Sequence, residues 1–172
     1  MHAIRNYFFL ETVMISWLTS TTIGRLIATF FISMVPLIEL RGGLPYGILT
    51  GLDYWQALLA AVLGNMVPVP FIIIFIKRIF AWLRGRHKKL DDFISRQEAR
   101  AVSKRPVIEK YGPIALLIFV GIPLPGTGAW TGALIAALLD IRLKHAVPSI
   151  FLGVCMAAAI MTAVSFGLIT IF

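Results

Sequence analysis

The sequence has few charged residues, a single cysteine and three scattered histidines. Only 14% of its 172 residues are charged and 59% are hydrophobic, whereas a soluble domain carries about 25% charged residues. This scarcity excludes an ordinary soluble domain and predicts an integral, polytopic membrane protein. The lone Cys155 excludes an intrachain disulfide. The sequence also lacks metal-ligand spacing, a phosphate-binding loop and a nucleophile motif, so it indicates no cofactor, no metal and no enzyme.

The net charge of +8 is concentrated beside the apolar segments. Residues 77–110 hold 11 of the 16 lysines and arginines. The positive-inside rule places this segment in the cytoplasm of a cell (plasma or inner) membrane protein. Its charge predicts contact with anionic lipids and no nucleic acid. The segment is interpreted either as a solvated loop or as an amphipathic surface helix with Trp82 at the interface.

Two stretches are long enough to cross a bilayer. Residues 54–76 and 146–172 are charge-free over 23 and 27 residues, and a span needs about 20. Both are predicted to be transmembrane helices. Pro68 and Pro70 should bend the first, and Pro148 lies near the start of the second.

Two further apolar stretches are too short or too interrupted to span. Residues 26–38 make only about 20 Å of helix, the predicted turn follows at Gly42-Gly43, and the apolar character resumes only as far as Leu52. Residues 111–139 are charge-free, but glycines and prolines interrupt their centre, which no continuous helix tolerates. Each stretch is predicted to form a re-entrant helical hairpin, which enters the bilayer, turns and leaves on the same side.

The order of these elements predicts an internal repeat. A hairpin, an aspartate (Asp53 or Asp140) and a span occur twice, on either side of the basic segment. The predicted fold is all-α, with two inverted repeats in one membrane domain covering residues 1–172. Residues 25–76 form repeat 1, 77–110 the cytoplasmic basic loop and 111–172 repeat 2. Residues 1–24 form an N-terminal helix that is interfacial or spans poorly.

The predicted hairpin tips carry the candidate substrate or coupling residues. An ionisable residue inside a membrane is a functional candidate because its insertion is costly. Glu39 could carry a proton or pair with a cation, and Arg41 could hold a phosphate or carboxylate; alternatively, the two pair with each other and fix the fold. Thr127 is predicted to cap a helix whose N-terminus attracts anions. The full set is Glu39, Arg41, Gly42, Gly43, Pro45, Pro123, Pro125, Gly126, Thr127, Gly128 and Trp130, with Asn65 as a candidate for lining a cavity.

The two tip motifs resemble those of a known family. Residues 39–45 (ELRGGLP) and 123–132 (PLPGTGAWTG) resemble the small multi-drug export protein family over roughly residues 20 to 172. The arrangement is also similar to that of the DedA/VTT superfamily, whose members have two re-entrant hairpins in inverted repeats. That second resemblance implies translocation of lipids, including polyprenyl phosphates. It implies that Glu39, Arg41 and the Pro-Gly tip are the functional positions in this sequence.

These observations predict a membrane transporter or translocase. We expect a homodimer in contact with membrane lipids that moves a small amphipathic substrate, with a lipid-linked phosphate slightly preferred and proton coupling through Glu39. One alternative is a small multidrug exporter of cationic compounds. A second is a non-transporting membrane scaffold or assembly factor.

Overall fold

The fold is entirely helical in the part of the chain that the structure describes. The computed structural model describes residues 17–124 and 126–171, with side chains as far as residue 163. Residues 17–20 are helical, and the predicted interfacial helix otherwise lies largely outside the described residues. The helices that follow are α1 (Thr22–Met34), α2 (Glu39–Leu49), α3 (Tyr54–Met66), α4 (Pro68–Leu83), α5 (Lys88–Tyr111), α6 (Pro113–Gly121), α7 (Ala129–Leu138) and α8 (Leu143–Ile171). The predicted all-α class is confirmed.

Two helical segments have the length and apolar composition of membrane spans. They cover Tyr54–Leu83, with 30 residues, and Leu143–Ala163, with 21 residues. Both predicted transmembrane segments are therefore found as helices. The first is interrupted by a turn at Val67, directly before Pro68. Proline has no N–H to continue the helical ladder, which explains why the interruption occurs where the sequence predicted a bend.

The chain divides into two compact units. The first ends at Gly64 and contains α1, α2 and most of α3, and the second begins at Asn65 and contains α4 to α8. The boundary falls beside the proline break in the first span. The proposed division into repeats at the basic segment stays a prediction.

Helices α1 and α2 of the first unit form an antiparallel pair. A Cβ added to Gly43 would overlap the Oγ of Ser33, and one added to Gly47 would lie 2.9 Å from the Oγ1 of Thr29. Gly43 of α2 therefore faces Ser33 of α1, and Gly47 faces Thr29. The residue number rises along α2 while it falls along α1, which defines the antiparallel register. The hydroxyls of Ser33 and Thr29 donate to carbonyls four residues earlier, so the polar groups at this close interface are satisfied.

The turn between α1 and α2 lies upstream of the predicted position. The sequence pattern placed it at Gly42-Gly43, with a return helix starting near Pro45. In the structure, residues 35–38 make the turn and both glycines and Pro45 lie inside α2. The physical reason is that Gly43 is needed for close helix packing, because any larger residue would displace Ser33.

In the second unit, small residues again allow helices to approach closely. A Cβ added to Gly153 of α8 would lie 2.8 Å from both the Leu117 carbonyl oxygen and the Val120 Cβ of α6. Leu116, Val120 and Ile150 are almost completely buried. Helix α7 packs against α4 and α8. The core of this unit is therefore built where α6, α7 and α8 meet.

The basic segment is mostly helical. Its first residues continue α4 as far as Leu83, and most of the remainder forms the 24-residue α5. The structure therefore favours the interpretation as a helix over that as a loop. Ile94 and Ala101, seven residues apart, are the residues of α5 that are buried, while its lysines and arginines are largely exposed. This pattern is that of a helix with one packed face and one cationic face.

Candidate functional site

Glu39 is a buried acid at the start of α2. Only 7% of its surface is exposed, and its N–H donates to the Val35 carbonyl oxygen at 3.0 Å. It is the first residue of the helix, directly after the turn at residues 35–38. A carboxyl group at a helix N-terminus is favoured by the helix dipole. Burial of a carboxyl group is nevertheless costly unless it is paired or neutral.

The backbone around Glu39 is strained. Leu37 and Glu39 have φ angles of 79° and 49°, in the left-handed region that side chains other than that of glycine disfavour. Each such residue costs on the order of 1–3 kcal/mol and persists only where its surroundings impose it. Leu37 is also 97% exposed. The turn therefore presents an apolar side chain outward and keeps the acid two residues later inside.

Arg41 and the two glycines follow on the same helix. Arg41 and Gly42 are partly buried, and Gly43 is buried. Pro45 cannot donate to the Arg41 carbonyl oxygen, because proline has no N–H. The structure thus keeps five predicted site residues, from Glu39 to Pro45, on the first two turns of α2. Gly43 has a packing role against Ser33 there, which differs from its predicted role at a tip.

The spacing of the glycines on α2 is a signal that the sequence analysis missed. Gly43 and Gly47 lie four residues apart on α2, and Gly51, just beyond its last residue Leu49, continues this spacing, which is the pattern of small residues at closely packed membrane helices. Gly43 and Gly47 face α1, and a Cβ on Gly51 would lie 3.1 Å from the Arg25 guanidinium. This period could have located the helix pair and moved the predicted turn upstream.

The second predicted tip is a turn between α6 and α7. Thr127 organises it, since its Oγ1 lies 2.7 Å from both the Ile122 and Leu124 carbonyl oxygens and accepts a 3.2 Å bond from the Leu124 N–H. Gly126 and Gly128 have φ angles of 80° and 140°, which glycine adopts without strain. The predicted position of this turn is correct. Pro125 lies outside the described residues, and Pro123 lies in the turn in a partly buried position.

Thr127 does not cap α7 as predicted. The N-cap residue is Gly128, which has no side chain, and its carbonyl oxygen accepts a 2.8 Å bond from the Gly132 N–H. Thr127 is instead committed to closing the turn. Trp130, in the first turn of α7, is partly buried.

Asn65 is buried near the proline break in the first candidate span. Its surface is 2% exposed, and its Oδ1 is the buried side-chain atom without a hydrogen-bond partner among the described residues. Leaving such an acceptor unsatisfied costs about 1–3 kcal/mol. Most buried polar groups in native proteins are hydrogen-bonded, so Asn65 stands out, and its predicted role in lining a cavity stays a prediction.

The candidate residues belong to different units. Glu39, Arg41 and their neighbours lie in the first, and Asn65, Thr127 and Trp130 in the second. No group of His, Cys, Asp and Glu side chains that could hold a metal ion occurs among the described residues.

Comparison with known families places these features in context. The sequence model of the family described as "Putative small multi-drug export protein" matches residues 39–160, which is more than half of the chain. The chain belongs to this family. No protein of curated function and no solved structure matches it. The match begins at Glu39 and includes both predicted tips, so the candidate residues lie within the part that defines the small multi-drug export family.

Family membership and the two candidate spans together indicate a membrane protein. The resemblance seen at the two tip motifs is confirmed at the level of the small multi-drug export family. This family's name points to transport.

Proposed function

We propose that the chain is a membrane transporter or translocase of an amphipathic substrate, with Glu39 as its coupling residue. The observation that carries this proposal is the burial of Glu39 at a strained turn within the family-defining region. An ionisable residue within a membrane segment is a functional candidate because its insertion is costly, and a proton-coupled transporter needs a group that changes its charge during the cycle.

The lengths of the helices support two re-entrant hairpins. Helices α1 and α2 have 13 and 11 residues, and α6 and α7 have 9 and 10. At a rise of 1.5 Å per residue they measure about 14–20 Å, well below the ~30 Å of hydrocarbon. In this proposal each pair enters the bilayer and returns, and the two repeats are inverted. Broken backbone at that depth must be buried or face a wet cavity.

The charges of the first hairpin favour a substrate with an anionic group. Arg41 presents a planar guanidinium that binds phosphate or carboxylate in a bidentate manner, and it lies two residues from Glu39 at the start of α2. In the proposed cycle, the anionic head of the substrate pairs with Arg41. Glu39 becomes protonated when the substrate binds, so that the site does not hold two negative charges.

The family description, a small multi-drug export protein, favours drug export as a second candidate, and in this candidate we take the exported drugs to be cationic compounds. Here Glu39 itself pairs with the substrate and exchanges it for a proton. Both candidates use Glu39, but they assign Arg41 opposite roles. In the anionic-substrate candidate, Arg41 binds the substrate. In the cationic-drug candidate, Arg41 repels the substrate. Substitution of Arg41 therefore separates them.

The test is transport by the protein reconstituted in vesicles with an imposed pH gradient. Glu39→Gln keeps the shape of the side chain and removes its titration, so proton-driven accumulation should fall to background. Arg41→Lys keeps the charge and loses the bidentate geometry, so transport of an anionic lipid should fall more than that of a cationic dye.

Matched controls are available on α5. Glu109 and Arg105 form an exposed ion pair at 2.8 Å, and Glu109→Gln and Arg105→Lys repeat the two chemical changes away from the hairpins. Both controls should transport like the wild type. If Glu39→Gln and Arg41→Lys also fold and transport like the wild type, the hairpin residues are structural and the scaffold hypothesis replaces this proposal.

A further inference from the structure

A cleft of about 440 Å³ lies in the second unit between α4, α5 and α7. Lys77 of α4 and Arg84, which directly follows the last residue of α4, line it with cations, and Glu98 of α5 lines it with one carboxylate. Phe80, Val102 and Leu138 supply an apolar wall. A site with both cations and an apolar wall matches a ligand that has an anionic group attached to a hydrocarbon part.

Both cations are held in position by weak, exposed ion pairs. Lys77 Nζ lies 2.6 Å from Asp140 Oδ1, and Arg84 Nη2 lies 2.7 Å from Glu98 Oε2. The side chains of these pairs are between 40% and 83% exposed. Such pairs are worth about 0–1 kcal/mol, so an anion can share their cations at little cost. An ammonium group has three donors and a guanidinium five, which leaves donors for a phosphate.

The position of the cleft along the first candidate span matches the level of lipid headgroups. Residues 54–76 carry no charge and make about 34 Å of helix, enough to fill the hydrocarbon core. Lys77 is the first cation after this stretch. Trp82 is 62% exposed, and the Arg86 guanidinium carbon lies 3.7 Å from the centre of its ring. Tryptophan is enriched at the membrane interface, beside the headgroups.

We propose that this cleft binds an anionic phospholipid, with its phosphate between Lys77 and Arg84 and its glycerol and first methylenes on Phe80 and Val102. The apolar wall commits the site to a lipid, since a free phosphate would leave that wall without a partner. Basic pockets beside membrane helices are suited to such headgroups. The site involves neither Glu39 nor Arg41, so it stands independently of the transport proposal.

The experiment measures the affinity of the purified full-length protein for phosphatidylglycerol in mixed micelles. Binding to the folded state raises the unfolding temperature as the fraction of this lipid increases. The double variant Lys77→Gln/Arg84→Gln should lower the apparent affinity about 25-fold, or about fivefold per cation, the factor equivalent to about 1 kcal/mol each. Ala81→Trp should also lower the affinity, because Ala81 lines the cleft and the indole would fill it without a change in charge.

The control is Lys88→Gln/Lys89→Gln, which removes the same charge at the start of α5, outside the residues that line the cleft. It should keep most of the affinity, and free glycerol phosphate should not compete with the lipid. An equal loss in the control would show that only the overall surface charge matters, and the proposal would be wrong. Competition by glycerol phosphate would reveal a site for soluble anions and would equally overturn it. Wild-type affinity in Ala81→Trp would place the lipid elsewhere.

Discussion

The close contact between α1 and α2 leads to a quantitative prediction for Gly43→Ala. The added Cβ would overlap the Oγ of Ser33 and lie 3.0 Å from its Cβ. Ser33 is fully buried and donates to the Thr29 carbonyl oxygen, so its side chain cannot rotate away without the loss of that bond. The helices must therefore separate, or the hydroxyl must lose its partner.

The expected cost combines two opposing terms. Inserting a methyl group into a packed interface costs about 1–3 kcal/mol, while replacing glycine by alanine inside a helix gains about 1 kcal/mol. The net destabilisation should be about 0–2 kcal/mol. The steric term can be isolated in a Ser33→Gly background, where the nearest remaining atom of residue 33 is its Cα at 3.3 Å. The coupling between the two substitutions should then be about 1–2 kcal/mol.

The assay is equilibrium unfolding of the wild type, both single variants and the double variant in mixed micelles with increasing denaturing detergent. The double-mutant cycle gives the coupling energy directly. A coupling below about 0.5 kcal/mol, with Gly43→Ala more stable than the wild type, would refute the reasoning. Gly43 would then not be in contact with Ser33, and the α1–α2 register would be wrong.

Three further predictions use the same protein. Thr127→Val removes the hydroxyl that closes the α6–α7 turn and should lower the free energy of unfolding by about 1–2 kcal/mol, whereas an unchanged unfolding curve would mean that the hydroxyl is dispensable. Asn65→Leu removes an unsatisfied buried acceptor and should raise that free energy by about 1 kcal/mol while transport in vesicles falls; a destabilised variant would show that the amide has a partner. In a Cys155→Ala background, cysteines at Ser103 and Leu143 should be labelled from the same side of sealed cells, and labelling from opposite sides would exclude the second re-entrant hairpin.

The position of the first turn shows what sequence patterns could not decide. A glycine pair beside an acid and a proline is typical of a turn, yet Gly42, Gly43 and Pro45 lie within α2. The turn occurs at residues 35–38, where Leu37 adopts a positive φ angle that its residue type disfavours. Local propensity argued against that site. The packing of α1 against α2 compensates for this strain. Such packing depends on residues from both helices, so a local sequence pattern does not reveal it.

The second turn was predictable, because its reasons are local. Residues 121–128 contain three glycines and two prolines, a density that strongly disfavours a continuous helix, and the turn lies between Gly121 and Ala129 as expected. The role of Thr127 was not predictable from the same pattern. A threonine before a helix suits either a cap or a turn, and only the positions of the Ile122 and Leu124 carbonyl oxygens decide between them.

The sequence by itself determined the all-α class, the two candidate spans, the basic segment and the family. These follow from hydrophobicity and charge, which act along the chain and do not depend on which helices meet. Only the tertiary structure decided that Glu39 is buried, that Asn65 Oδ1 has no hydrogen-bond partner among the residues the structure describes, and that Lys77 and Arg84 share a cleft. Burial and clefts arise from contacts between helices distant in sequence, and one-dimensional patterns do not record which side chains those contacts bring together.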